Sequence, residues 1–132
     1  MKKKAGYQIS SSVNDGILEI VIKGKVKNDD IEEIHDKITA SLKEKEVNDL
    51  LVDICAVKER FSIIEASSHV RHSLADRRKV NIAIIDLPQY ANFETFLVIM
   101  SENAGLSVKW FTHASTARDW LRSKIKDNTE KQ

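Results

Sequence analysis

Of 132 residues, one is cysteine, one is proline and four are glycine. Cys55 has no second cysteine to pair with, so no internal disulfide staples the fold and folding does not depend on an oxidising compartment. With one proline and four glycines there is no Pro-rich or Gly/Ser-rich linker and no low-complexity tract, which argues for one domain of ordinary length. Charge of either sign is not in excess: 21 Lys and Arg stand against 20 Asp and Glu. Proteins that hold nucleic acid by neutralising phosphates carry a basic surplus, so nucleic acid is not an expected partner. Long hydrophobic runs are missing too. The longest, Phe96 to Met100, is far short of the roughly 20 residues that span a bilayer. Met1-Lys2-Lys3-Lys4 resembles the opening of a secretion signal, but Ala5 to Ser10 is no apolar core segment, and a soluble cytoplasmic domain is expected. Residues 1–6 and 127–132 read as loose tails.

What is present is an alternation of apolar β-branched runs and helical stripes. Tyr7 to Ser12 reads as a short edge strand. Asn14-Asp15-Gly16 is a turn signal that can close a hairpin onto Ile17 to Gly24. Asp29, with Glu32 three residues on, suits a helix start. Ile31, Ile34, Ile38 and Leu42 then mark one face of a helix to about residue 46. Asp49 to Cys55 reads as a buried strand. Ser62 and Glu65 repeat the capping pattern before a second helix with Ile63, Ala66, Val70 and Leu74 inward, ending at Arg77-Arg78-Lys79. Val80 to Leu87 is a strand closed by Pro88. Asn92 opens a third helix with Phe93, Phe96, Leu97, Met100 and Ala104 inward, and Gly105 ends it. Ser107 to Phe111 is the last strand. The last helix follows, with Ala117, Trp120, Leu121 and Ile125 inward. Strands alternating with helices predict an α/β fold: a sequentially wound, mostly parallel sheet of four to five strands with about four helices.

The segment Asp15 to Val26 resembles the opening strand and turn of the SpoIIAA-like bacterial proteins, within the wider STAS group of sulphate-transporter and anti-sigma-factor-antagonist domains. Asn28 to Ile34 fits their first helix. Val108-Lys109-Trp110-Phe111, followed by Thr116 to Leu121, resembles their closing strand and helix. The resemblance covers about residues 13–122. It implies a sequentially wound sheet, no catalysis, and a regulatory role through protein contacts; among fold relatives are lipid-transfer domains with an apolar pocket.

Several residues carry a sharper reading beside a plain one. In anti-sigma-factor antagonists a serine at the start of the second helix is a phosphorylated switch, and Ser62 occupies that place. The family's Asp-Ser-Ser-Gly pattern is here Phe61-Ser62-Ile63-Ile64, without its acidic residue and glycine, so Ser62 is a weak phosphorylation candidate and a simple N-cap with Glu65 as its partner is the favoured reading. Glu65, His69, His72 and Asp76 line one helical stripe, the spacing of a metal site, but also of a solvated face. His69 and His72 are therefore weak candidates, and no metal or other cofactor is expected. Cys55 lacks a neighbouring base in any motif, as a small buried hydrophobe would. Arg71, Arg77, Arg78 and Lys79 form a basic cluster that complements a helix end.

The run Phe96-Leu97-Val98-Ile99-Met100 covers the whole circumference of a helix, so part of it must be exposed, paired or lining a pocket. Val98 and Ile99 are the interface candidates, and Phe93, Phe96 and Met100 the pocket candidates. The expected function is a non-enzymatic STAS-like regulatory or protein-interaction module, partnering itself as a homodimer or another regulatory protein. The alternative is a carrier of a small apolar ligand or lipid between sheet and helices.

Overall fold

The Asp15-Gly16 corner sets the first pairing. A computed structural model describes residues 6–60 and 79–130, with side chains as far as 126. In it Asp15 has φ 53° and Gly16 φ 79°, the two successive positive values of a tight hairpin turn. Glycine adopts that conformation without strain, and aspartate is among the residues that tolerate it. The turn joins β1 (Tyr7–Asn14) to β2 (Ile17–Gly24), antiparallel from Tyr7 opposite Gly24 to Asn14 opposite Ile17. Three parallel strands follow: β3 (Asp49–Val57), β4 (Asn81–Ile85) and β5 (Ser107–Phe111). Their order is β1-β2-β3-β4-β5, the sequential winding that the apolar runs predict.

Among the described residues there are three α-helices: α1 (Asp30–Lys45), α2 (Ala91–Asn103) and α3 (Ala114–Glu130). The helix expected near 62–79 falls almost wholly outside the described residues. Side-chain alternation along the strands feeds two cores. On one face Leu18, Ile20, Ile22 and Leu50 meet Ile34 and Leu42 of α1. On the other Ile17, Leu51, Ala83 and Ile85 meet Ala117 and Leu121 of α3. This is why the central strands read as nearly continuous apolar runs: both of their faces are covered. None of the described helices is long and apolar enough to cross a membrane.

Three local expectations are corrected. Asp29 makes no side-chain cap; instead the neighbouring Asp30 carboxylate accepts from the Lys27 N–H at 2.9 Å, so the first turn is tied one residue later. Asn92 does not cap α2, because a 3-10 turn over Pro88–Tyr90 runs directly into Ala91, with the fixed φ of Pro88 starting the turn. The orientation of α2 also differs. Its buried residues are Glu94 and Ser101, Val98 lies half-buried on the same stripe, and Phe96 is 37% and Ile99 55% exposed. The expected inward stripe of Phe93, Phe96, Leu97 and Met100 is thus turned partly outward. Gly105, at φ 86°, ends α2 as expected: Gly105 N–H bonds the Glu102 carbonyl and Leu106 N–H the Ser101 carbonyl, both at 2.9 Å.

Candidate functional site

Three ionisable side chains converge at the carboxyl ends of β3 and β4. Arg60 follows β3, Asp86 follows β4, and Glu94 sits in the first turn of α2. Asp86 and Glu94 are completely buried, and the Arg60 side chain is nearly so. Arg60 Nε donates to Asp86 Oδ2 at 2.8 Å, and Nη2 donates to Asp86 Oδ1, so the guanidinium grips the carboxylate with two parallel bonds. Its remaining N–H groups go to main-chain carbonyls: Nη1 to Val57 at 2.8 Å and Glu59 at 3.0 Å, Nη2 to Ile54 at 2.8 Å. All five donors of the guanidinium are therefore used. The Tyr90 ring covers the guanidinium, with its centroid 4.0 Å away.

Glu94 is held differently. Neither of its carboxyl oxygens has a hydrogen-bond partner among the described residues. Burial pushes this carboxyl up to about 9, and the adjacent Asp86 adds to the shift more than Arg60 relieves it. At neutral pH Glu94 is therefore an uncharged acid buried beside the Asp86 carboxylate. Burial would raise Asp86 as well. The bonds from Arg60 and the Leu87 N–H, with Glu94 as neighbour, outweigh it and hold Asp86 below the usual carboxylate range. Arg60, Asp86 and neutral Glu94 together carry no net charge, which is the arrangement a buried trio requires.

Chemically the cluster is a lock. Arg60 has no donor left for a ligand, and neither acid meets solvent. Arg60 and Asp86 tie the end of β3 to the end of β4, and Glu94 at the start of α2 is buried beside them. Beside it, between α1 and α2, lies a cavity of about 200 Å³ lined by Ile22, Ile34, Ile54, Val57, Phe93 and Leu97, with Glu59 and Arg60 at its edge. Cys55 is no nucleophile: burial, with Asp53 beside it, pushes its thiol up to about 11.

The pocket candidates separate. Phe93 lines the cavity, whereas Phe96 is exposed and Met100 is half-buried outside the described lining. Of the interface candidates, Ile99 faces solvent and Val98 the sheet side. Ser62, His69 and His72 lie outside the described residues. Among the described residues no group of three or more His, Cys, Asp or Glu is placed to hold a metal ion. The sequence reading missed the Arg60–Asp86–Glu94 cluster. Its signal was two acids set inside apolar stretches, Asp86 after Ile84-Ile85 and Glu94 before Phe96 to Met100.

No protein-family model matches the chain, and no curated protein matches it. Solved structures do. An anti-sigma factor antagonist from Mycobacterium paratuberculosis superposes with a TM-score of 0.66 at 12% identity, over 88% of this chain and 94% of that one. The fold is the SpoIIAA-like fold. An uncharacterized DUF3478-family protein with a SpoIIAA-like fold, from Shewanella loihica PV-4, superposes with a TM-score of 0.61 at 20% identity, over 92% of this chain and 98% of that one. The resemblance in strand order and closing segment is thus matched in three dimensions, at sequence identities that speak for the SpoIIAA-like fold alone.

Proposed function

We propose that the chain is a non-enzymatic STAS-like regulatory module that works through contact with another regulatory protein, and that the outer face of α2 is its contact surface. The observation that carries this reading is that part of the apolar surface of α2 is turned outward. The helix buries Glu94 and Ser101 and presents Phe96 and Ile99 to solvent. Exposed large apolar side chains set side by side on a helix mark contact sites more often than single stray ones do. Charge agrees: the only ionisable residues of Ala91–Asn103 are the buried Glu94 and the exposed Glu102. Such a face suits an apolar patch on another protein better than a phosphate or a charged peptide. The sheet also lacks the reversal of strand order that creates the ligand crevice of nucleotide-binding α/β folds.

A photo-crosslinking side chain at Ile99, with the exposed Glu44 of α1 as control, tests this reading in the cells that make the protein. A discrete adduct with one protein at Ile99, absent at Glu44 and lost in Phe96→Lys, is expected. Identical adducts at both positions, or an adduct that Phe96→Lys leaves unchanged, contradict it.

The carrier reading draws support from the cavity beside α2. Its volume of about 200 Å³ is below the roughly 300–1,000 Å³ of drug-sized ligand pockets, and nearer the engineered apolar cavity of about 150 Å³ that takes up benzene. It suits a small apolar molecule rather than a lipid. Native mass spectrometry decides: an added mass of a small molecule supports a carrier, and the bare 15.0 kDa chain or a multiple of it opposes one.

A further inference from the structure

The two edges of the sheet are protected very differently. At one edge β5 is short, five residues, and carries Lys109 exposed at its centre. At the other, β1 is eight residues long, pairs with β2 without a bulge, and holds neither charge nor proline. Short length, charge, proline and bulges are the usual devices that stop a strand edge from pairing with another chain, and β1 has none of them. No strand among the described residues pairs with its outer side.

Its sequence adds a second observation. Gln8-Ile9-Ser10-Ser11-Ser12-Val13-Asn14 is a palindrome in chemical class: amide, apolar, serine, serine, serine, apolar, amide. Turned antiparallel against a second copy and centred on Ser11, it sets Gln8 opposite Asn14, Ile9 opposite Val13, Ser10 opposite Ser12 and Ser11 opposite itself. Apolar meets apolar and hydroxyl meets hydroxyl, with no like charges opposed, the combination that favours cross-strand pairing.

The hydrogen-bond parity of the strand, a third observation, agrees with this register. The Gly6 carbonyl accepts from the Lys25 N–H at 2.9 Å, so even-numbered residues of this stretch turn their main-chain groups toward β2. The odd ones, Ile9, Ser11 and Val13, turn theirs to the free edge. Directly opposed residues that exchange bonds across a new antiparallel pair must both point outward. A two-fold axis at Ser11 pairs odd with odd, whereas a shift by one residue pairs an outward group with an inward one. The side chains of these odd residues lie on the α1 face, since Tyr7 and Ile9 pack with the core there. Val13, 40% exposed, would be covered by Ile9 of the other copy.

We propose that β1 is a self-association edge, joining two copies of this chain across a two-fold axis at Ser11 into one continuous sheet. It uses a surface separate from the outer face of α2, so the two contacts are compatible and are tested apart.

Sedimentation over a concentration series reads the assembly, with circular dichroism as the check on folding. Wild type is expected to form dimers. Ser11→Lys sets two lysines face to face on the axis and is expected to give folded monomers. Phe96→Lys with Ile99→Lys is expected to leave the dimer intact. In a Cys55→Ser background, Ser11→Cys is expected to cross-link to its own copy on mild oxidation, because antiparallel pairing places it opposite itself within disulfide reach. Gln8→Cys, opposite Asn14, is expected not to. A monomeric wild type at every concentration overturns the proposal. So does a dimer lost through Phe96 and Ile99 but kept in Ser11→Lys, or Gln8→Cys cross-linking as well as Ser11→Cys. The cross-link pair decides the matter even if Ser11→Lys fails to fold.

Discussion

Helices α2 and α3 flank the same sheet and are held by opposite means. α3 turns Ala117 and Leu121 completely inward, packs Trp120 and Ile125 around them, and leaves its charges to solvent or to an ion pair of Arg118 with Glu19 at 2.9 Å. α2 turns a glutamate and a serine inward and exposes a phenylalanine and an isoleucine. One is seated by burial of apolar surface, the other by a polar lock at its first turn. A helix positioned by burial spends its apolar residues on the core. A helix positioned by a lock can keep some of them on the surface, where another protein can use them.

The strongest way to break this comparison is to remove the guanidinium. Arg60→Met leaves Asp86 and Glu94 buried without a counter-charge, and we expect a loss of about 3–5 kcal/mol in urea unfolding. Leu121→Ala attacks the other helix by opening a cavity, and an expected loss of about 2–5 kcal/mol follows from that mechanism alone. The two losses should differ in their pH response. Only the Arg60→Met effect, acting on titrating acids, should vary between pH 5 and 8, whereas the Leu121→Ala effect should stay flat.

Glu94→Gln sharpens the contrast with a gain. Glu94 has a folded-state value raised to about 9, so the unfolded chain releases this proton at lower pH than the folded one. The folded state then binds more protons, and the group's contribution to stability falls as pH rises from the ordinary carboxylate range toward about 9. An amide keeps the donor and drops the titration. We expect Glu94→Gln to match wild type near pH 4–5 and to exceed it by a margin that widens toward pH 8, at about 1.4 kcal/mol per pH unit while the folded acid stays protonated. The smallest effect belongs to the outer face: Phe96→Ser and Ile99→Ser should each change stability by no more than about 0.5–1 kcal/mol, because neither side chain is fully buried.

Much of the sheet was legible in the sequence, because strands covered on both faces must be apolar throughout. Ile17 to Gly24 and Asp49 to Cys55 announce themselves in this way, and Asn14-Asp15-Gly16 names its own turn. The sequential order followed from strands alternating with helices, together with the resemblance in the closing Val108 to Leu121 segment. α3 was legible for the same reason as the strands: its apolar stripe is the one it buries. α2 was not. Periodicity assigns the inward face to the apolar side, and here Phe96 to Met100 is apolar all round, so the pattern holds little direction. What its inward face holds is Glu94, buried beside the Arg60–Asp86 ion pair, three residues far apart in the chain. A pairing of that kind leaves no period to read. The edge of β1 was half legible: its serines and missing charges are plain in the sequence, but their meaning depends on which side of the strand β2 occupies.

The central claim is that α2 buries its Glu94 as a neutral acid beside the Arg60–Asp86 ion pair. Carbon-detected NMR of the Glu94 side-chain carboxyl, followed from pH 4 to 10, tests it most directly. The account predicts a carboxyl that stays protonated through neutral pH and titrates near 9. A carboxyl that ionises at its ordinary value of about 4.3 would contradict it.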